Sequence, residues 1–155
     1  MRYFEDLVVG ASVRSRDYPV TRDEVMSFAA AYDPQPFHLD DEAAARTHFG
    51  RLSASGWHTC AMTMRMMVDG WSTGEPTASL GSPGIDELRW LKPVYPGDVI
   101  HVVSDLIEKR RSRSRPEMGI TKSRQTVFNQ HGEPVMSMIS NGLVQVRDPQ
   151  APLTD

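Results

Sequence analysis

Asp33 and His38 stand five positions apart in the run Asp33-Pro34-Gln35-Pro36-Phe37-His38. A carboxylate and an imidazole at that spacing can supply a base and an acid, the work of general acid–base catalysis. A second run, Ser53-Ala54-Ser55-Gly56-Trp57, sets small residues ahead of a long apolar stretch. A helix N-terminus there would supply an anion-binding pocket at the positive end of the helix dipole. Taken singly, these residues are unremarkable types. Asp33 reads as a turn residue before proline, His38 as a turn or surface histidine, and Gly56 as a packing glycine. Together they describe a base, an acid and an anion-binding N–H in one cleft.

The surrounding pattern supplies elements to position them. Residues 11–20 read as a strand. Thr21-Arg22-Asp23-Glu24 is a capping box, with Glu24 expected to reach back to the first turn. Val25, Phe28, Ala29 and Tyr32 then recur at helical spacing. Pro34 stops that helix, because the residue before a proline avoids the α region. Asp33 therefore sits at a helix terminus, and Pro36 stiffens the step that carries His38. Asp40 is an N-cap for a short helix over 41–49, closed by Gly50. Residues 54–71 form the longest helical candidate, with Trp57, Ala61, Met64, Val68 and Trp71 on one stripe. Cys60, Met62, Met66 and Met67 make it apolar nearly all round, which predicts a buried helix ended by Gly70 and Gly74. Beyond residue 79 the period changes to two. Residues 85–91, 98–108, 118–129 and 134–147 read as strands, joined by turns at 93–98, 110–116 and 131–133. The expected class is α+β, an antiparallel sheet wrapped around a long central helix.

The bounds agree. A chain of 155 residues favours one domain, residues 1–155, with a real core. Charged residues make up 24% and the net charge is -3, which argues against a general nucleic-acid binder. No apolar run reaches the ~18 residues of a membrane span. The acidic start MRYFEDLVVG carries no signal-type apolar core, and one cysteine excludes an internal disulfide. A cytoplasmic location is expected. His38, Asp40 and Asp41 have no completing ligand spacing, so no metal is expected. Cys60 reads as a core residue and His58 and His101 as structural ones. The basic stretch Lys109–Arg115 reads as a solvated loop.

Asp33-x-Gln35-Pro36-x-His38, the alanine-rich helix after it, Ser55-Gly56 and the turn Pro93-x-x-Pro96-Gly97-Asp98 resemble the MaoC-like hydratases, which include the (R)-specific enoyl-CoA hydratases. Here Gln35 stands where the family has asparagine. Ser55-Gly56-Trp57 stands for the common His-Gly-Met, and Ala61 for a frequent serine. The resemblance implies a hotdog fold covering nearly the whole chain. It implies catalytic roles for Asp33, His38 and the N–H of Gly56, with substrate contacts from Gln35, Phe37, Ser55 and Trp57. Water would add across the double bond of a trans-2-enoyl-CoA, or leave in reverse, with CoA carried by the substrate and no cofactor needed. It also implies a homodimer or higher even-numbered assembly. Two other classes stay open, a hotdog acyl-CoA thioesterase and a non-catalytic acyl-binding module. The absence of Asp and Glu from 57–68 disfavours the first, and the Asp33/His38 pair the second.

Overall fold

Thr21 caps helix α1 (Arg22–Tyr32) as the sequence predicts, its hydroxyl accepting the Glu24 N–H at 3.3 Å. The capping box is only half made. The Glu24 carboxylate does not reach back but turns to Tyr18 and His58. Val25 and Ala29 are fully buried, while Tyr32, from the same predicted apolar face, is 77% exposed. The helix ends where Pro34 requires, with Asp33 as C-cap donating its N–H to the Ala29 carbonyl at 2.9 Å. A 3-10 turn over Pro36–His38 follows, with proline in its first position. Helix α2 (Asp41–Ala45) is capped by Asp40, as expected, but stops four residues short of the predicted 49.

The computed structural model describes residues 1–73 and 75–151, without the side chains of 71–73; the expected places of the Trp71 side chain and of Gly74 lie outside the described residues. Helix α3 spans Gly56–Thr73. The predicted strand 11–20 is two short pieces, β1 (Ser12–Arg14) and β2 (Tyr18–Pro19). The later strands are β3 (Ser79–Trp90), β4 (Val99–Arg111), β5 (Met118–Phe128) and β6 (Pro134–Gln145). They form an antiparallel sheet in the order β1-β4-β5-β6-β3, with β2 also paired to β4. β3 begins six residues before the predicted 85. Its first half, Ser-Leu-Gly-Ser-Pro-Gly, has no strand pattern, and it is held only by register-shifted pairing with β6. An edge strand tolerates such a proline because one of its sides needs no donor.

α3 lies on the sheet through Met62 and Met66, which meet Ile100, Val102, Val127, Val135, Met136 and Met138. Each such side chain removed from water contributes roughly 1.5–3 kcal/mol. The helix is not buried all round. The predicted stripe of Trp57, Met64 and Val68 is its outer face, at 60%, 48% and 42% exposure. The inner face carries His58, Thr59 and Thr63 beside the methionines, with Thr63 donating to the Thr59 carbonyl at 2.7 Å. Methionines on both faces hid this distinction from a count of apolar residues. Among the described residues no helix is long and apolar enough to cross a membrane, and no cluster suits a metal ion.

Candidate active site

Asp33 leaves α1 at its C-cap, and His38 closes the turn that Pro34 and Pro36 make rigid. The chain thus folds back and sets Asp33 Oδ2 3.5 Å from His38 Nε2. That is too long for a strong hydrogen bond. His38 is 4% exposed, and its Nδ1 lies 2.7 Å from the Ser53 carbonyl. A carbonyl only accepts, so Nδ1 carries the proton, and in the neutral ring Nε2 presents a lone pair. Two acceptors therefore face one another, and a water molecule can give each of them one hydrogen.

The carboxylate is held at both of its oxygens. Ser55 Oγ donates to Oδ2 at 2.6 Å and Gln35 Nε2 donates to Oδ1 at 2.7 Å. The Ser55 bond chiefly, then Gln35 and the nearby imidazole, keep the Asp33 carboxyl below its ordinary range despite partial burial. Ser55 also accepts the Trp57 N–H at 3.3 Å, so it caps α3 and braces the acid with one hydroxyl.

Gly56 is the first residue of α3 and lines the same cleft as Asp33 and His38. Its N–H meets no protein acceptor among the described residues, as expected at a helix start. The cleft holds about 520 Å³ and is also lined by Gln35, Phe37 and Trp57. Ser55 touches the site through Asp33. Phe37 packs edge-on against His38 at 4.6 Å and tilted against Phe49 at 5.3 Å. The structure thus gathers all seven residues singled out in the sequence.

Trp90 was not among them. It reaches the site from the end of β3, and its Nε1 donates to the Gly56 carbonyl at 2.9 Å. A Cβ on Gly56 would sit 2.6 Å from the Trp90 ring, so only glycine fits beneath this indole. Trp57 meets Trp90 edge-on at 5.2 Å. The partners are 34 positions apart, beyond any local pattern. Cys60, a core residue as expected, contacts Met136, and burial pushes its thiol up. His101 stacks on Phe128. His58 is buried as expected, but it lies beside Glu24 in a cavity of its own.

The fold has clear relatives. A crystal structure of a MaoC-like dehydratase from Rhodospirillum rubrum superposes with a TM-score of 0.86 and 40% identity, covering 96% of this chain and 99% of that one. A Mycobacterium tuberculosis protein described as a double hotdog fold superposes with a TM-score of 0.81 at 15% identity, over 97% of this chain and 46% of the other; that likeness shows the hotdog fold alone. The 3-hydroxybutyryl-CoA dehydratase of Methylorubrum extorquens is 33% identical over 117 residues, 72% of this chain and 70% of the relative. Residues 6–127 match the profile of the MaoC like domain, and the protein belongs to that family of hotdog-fold hydratases and dehydratases.

Proposed function

We propose that this protein is a cytoplasmic hydro-lyase of acyl-CoA thioesters, adding water to a trans-2-enoyl-CoA or removing it from a 3-hydroxyacyl-CoA. The observation that carries this reading is the pair of facing acceptors, Asp33 Oδ2 and His38 Nε2, in a cleft that Gly56 also lines. The activity named for the Methylorubrum relative supports the substrate class.

In the forward direction the two acceptors hold both hydrogens of a water and leave an oxygen lone pair for C3. The O–C3 bond forms, the C2–C3 π electrons move toward the thioester, and an enolate develops on its oxygen. The Gly56 N–H and the dipole of α3 stabilise that charge. Asp33 is held anionic by Ser55 and Gln35. It therefore serves best as the fixed charge beside the ring, while His38 Nε2 takes the water proton and delivers a proton to C2 as the enolate collapses. The hydrogen bonds thus favour the imidazole, rather than the carboxylate, as the base. Phe37 and Trp57 would flank the acyl group. CoA arrives on the substrate, and the steps use only groups of this chain.

We further propose a homodimer or a higher even-numbered assembly. α3 leaves Met64 and Val68 uncovered, and β3 is an open edge bearing Leu80 and Ile85 at 47% and 49% exposure. A second copy placed edge to edge would cover both and bury more than ~1,200 Å². Light scattering at micromolar concentration tests this, and a stable, active 17.4 kDa monomer overturns it.

Incubation with crotonyl-CoA and with butyryl-CoA tests the chemistry. Loss of enoyl absorbance without free thiol is the expected result. Thiol release from butyryl-CoA would instead make the protein a thioesterase. No change with enoyl-CoA substrates of short, medium and branched chains would overturn the hydro-lyase reading.

A further inference from the structure

A second cavity, of about 500 Å³, lies against α1 and α3 and shares no lining residue with the Asp33 cleft. Its size falls in the range of small-molecule sites. Its acid is Glu24. Oε1 accepts from the Tyr18 hydroxyl and lies 3.7 Å from His58 Nε2, while Oε2 meets no donor among the described residues. Among the described residues no lysine or arginine forms an ion pair with this carboxylate. His58 is 3% exposed and stacked on Phe28 at 4.7 Å, and burial holds its pKa down, so the ring stays neutral at pH 7. The Arg65 Nε lies 2.8 and 3.0 Å from the two oxygens of Asp69, which takes up that charge. Tyr18 adds no charge either. Burial first, then the neighbouring Glu24, push its pKa up to about 12.

Aromatic rings stand beside the acid. Phe28 and Tyr32 lie 5.1 Å apart with a 49° tilt, and Tyr32 leaves 77% of its surface open although its helical spacing assigns it to the core face. An uncompensated carboxylate beside ring faces is the chemistry that recognises ammonium groups. We propose that this cavity binds a small organic cation of the alkylammonium class, with Glu24 as its counter-ion and Phe28 and Tyr32 as its aromatic wall. The free Oε2 accepts the ammonium N–H, and the alkyl part lies on the rings.

Titration of the protein with n-butylammonium chloride, followed by amide NMR against sodium chloride at equal ionic strength, tests this. Saturable shifts at Ser27, Phe28 and His58 are expected. Glu24→Gln keeps the shape and an acceptor for Tyr18 but removes the charge, and should weaken binding by about 10-fold or more. Tyr32→Ala, at an exposed position where folding is not at stake, should weaken it by about three-fold. Tyr18→Phe keeps the carboxylate and should retain binding. Shifts that never saturate, shifts centred on Asp33 and His38, or unchanged affinity in Glu24→Gln or Tyr32→Ala would each overturn the assignment.

Discussion

Two carboxylate–imidazole pairs lie near the start of α3, and they are built on opposite plans. Asp33 and His38 approach to 3.5 Å, Glu24 and His58 to 3.7 Å. In the first pair the acid and the ring are each held by further partners: Gln35 and Ser55 hold the carboxylate, and the Ser53 carbonyl holds His38 Nδ1. In the second, His58 Nδ1 is buried without a partner among the described residues, and Glu24 accepts from one phenol. Distance between acid and imidazole is therefore a poor guide to chemistry. The outer hydrogen bonds decide which nitrogen bears the proton and whether the carboxyl is charged.

The contrast is broken most severely at the reacting pair. Asp33→Asn and His38→Ala should each lower kcat for enoyl-CoA hydration by ~10²–10⁴, with an unchanged circular dichroism spectrum. Wild-type turnover in either variant would remove the first pair's special standing. Next in size is Gly56→Ala. Its Cβ must displace the Trp90 ring, and overpacking of this kind costs about 1–3 kcal/mol. Denaturant midpoints should show that loss, and Gly56→Ala combined with Trp90→Leu should recover part of it.

Ser55→Ala sharpens the comparison by making the first pair resemble the second. Loss of a helix cap costs about 0.5–2 kcal/mol. The depressed Asp33 carboxyl stabilises the fold above its unfolded pKa of about 3.9, and that contribution is lost as pH falls through the lower folded value. Without the Ser55 donor the window shrinks, so acid unfolding should move to higher pH. An acid-unfolding midpoint that stays in place would mean that Ser55 caps the helix and nothing more.

The smallest effect belongs to the second pair. Burial lowers the folded pKa of His58, so the unfolded chain binds more protons as pH drops below about 6.5. Stability should be full above that pH and fall below it. His58→Gln should flatten the dependence between pH 7 and pH 5. His101, also lowered by burial, leaves a residual slope of the same sign.

Much of this was legible because it was local. Pro34 and Pro36 dictate the turn between Asp33 and His38, and Thr21 and Asp40 announce their helices through short-range caps. What escaped was decided across the fold. The Glu24 carboxylate has the position of a capping-box acid, yet Tyr18 and His58, brought to it by β2 and α3, compete for it and win. The first half of β3 is a strand only because β6 lies beside it. The outer row of α3 has the composition of a core because one chain's sequence does not say where that chain's surface ends.

The chain contains three tryptophans, and two of them, Trp57 and Trp90, form the wall of the Asp33 cleft. Both indoles are about half open to solvent, at 60% and 47%. The site therefore carries its own fluorophores. A ligand that covers these rings excludes water from them and shifts their emission to shorter wavelength, and an adenine stacked on either would quench it. Occupancy of the cleft can thus be followed optically, without a label and in the absence of turnover, by exciting the protein at the tryptophan band.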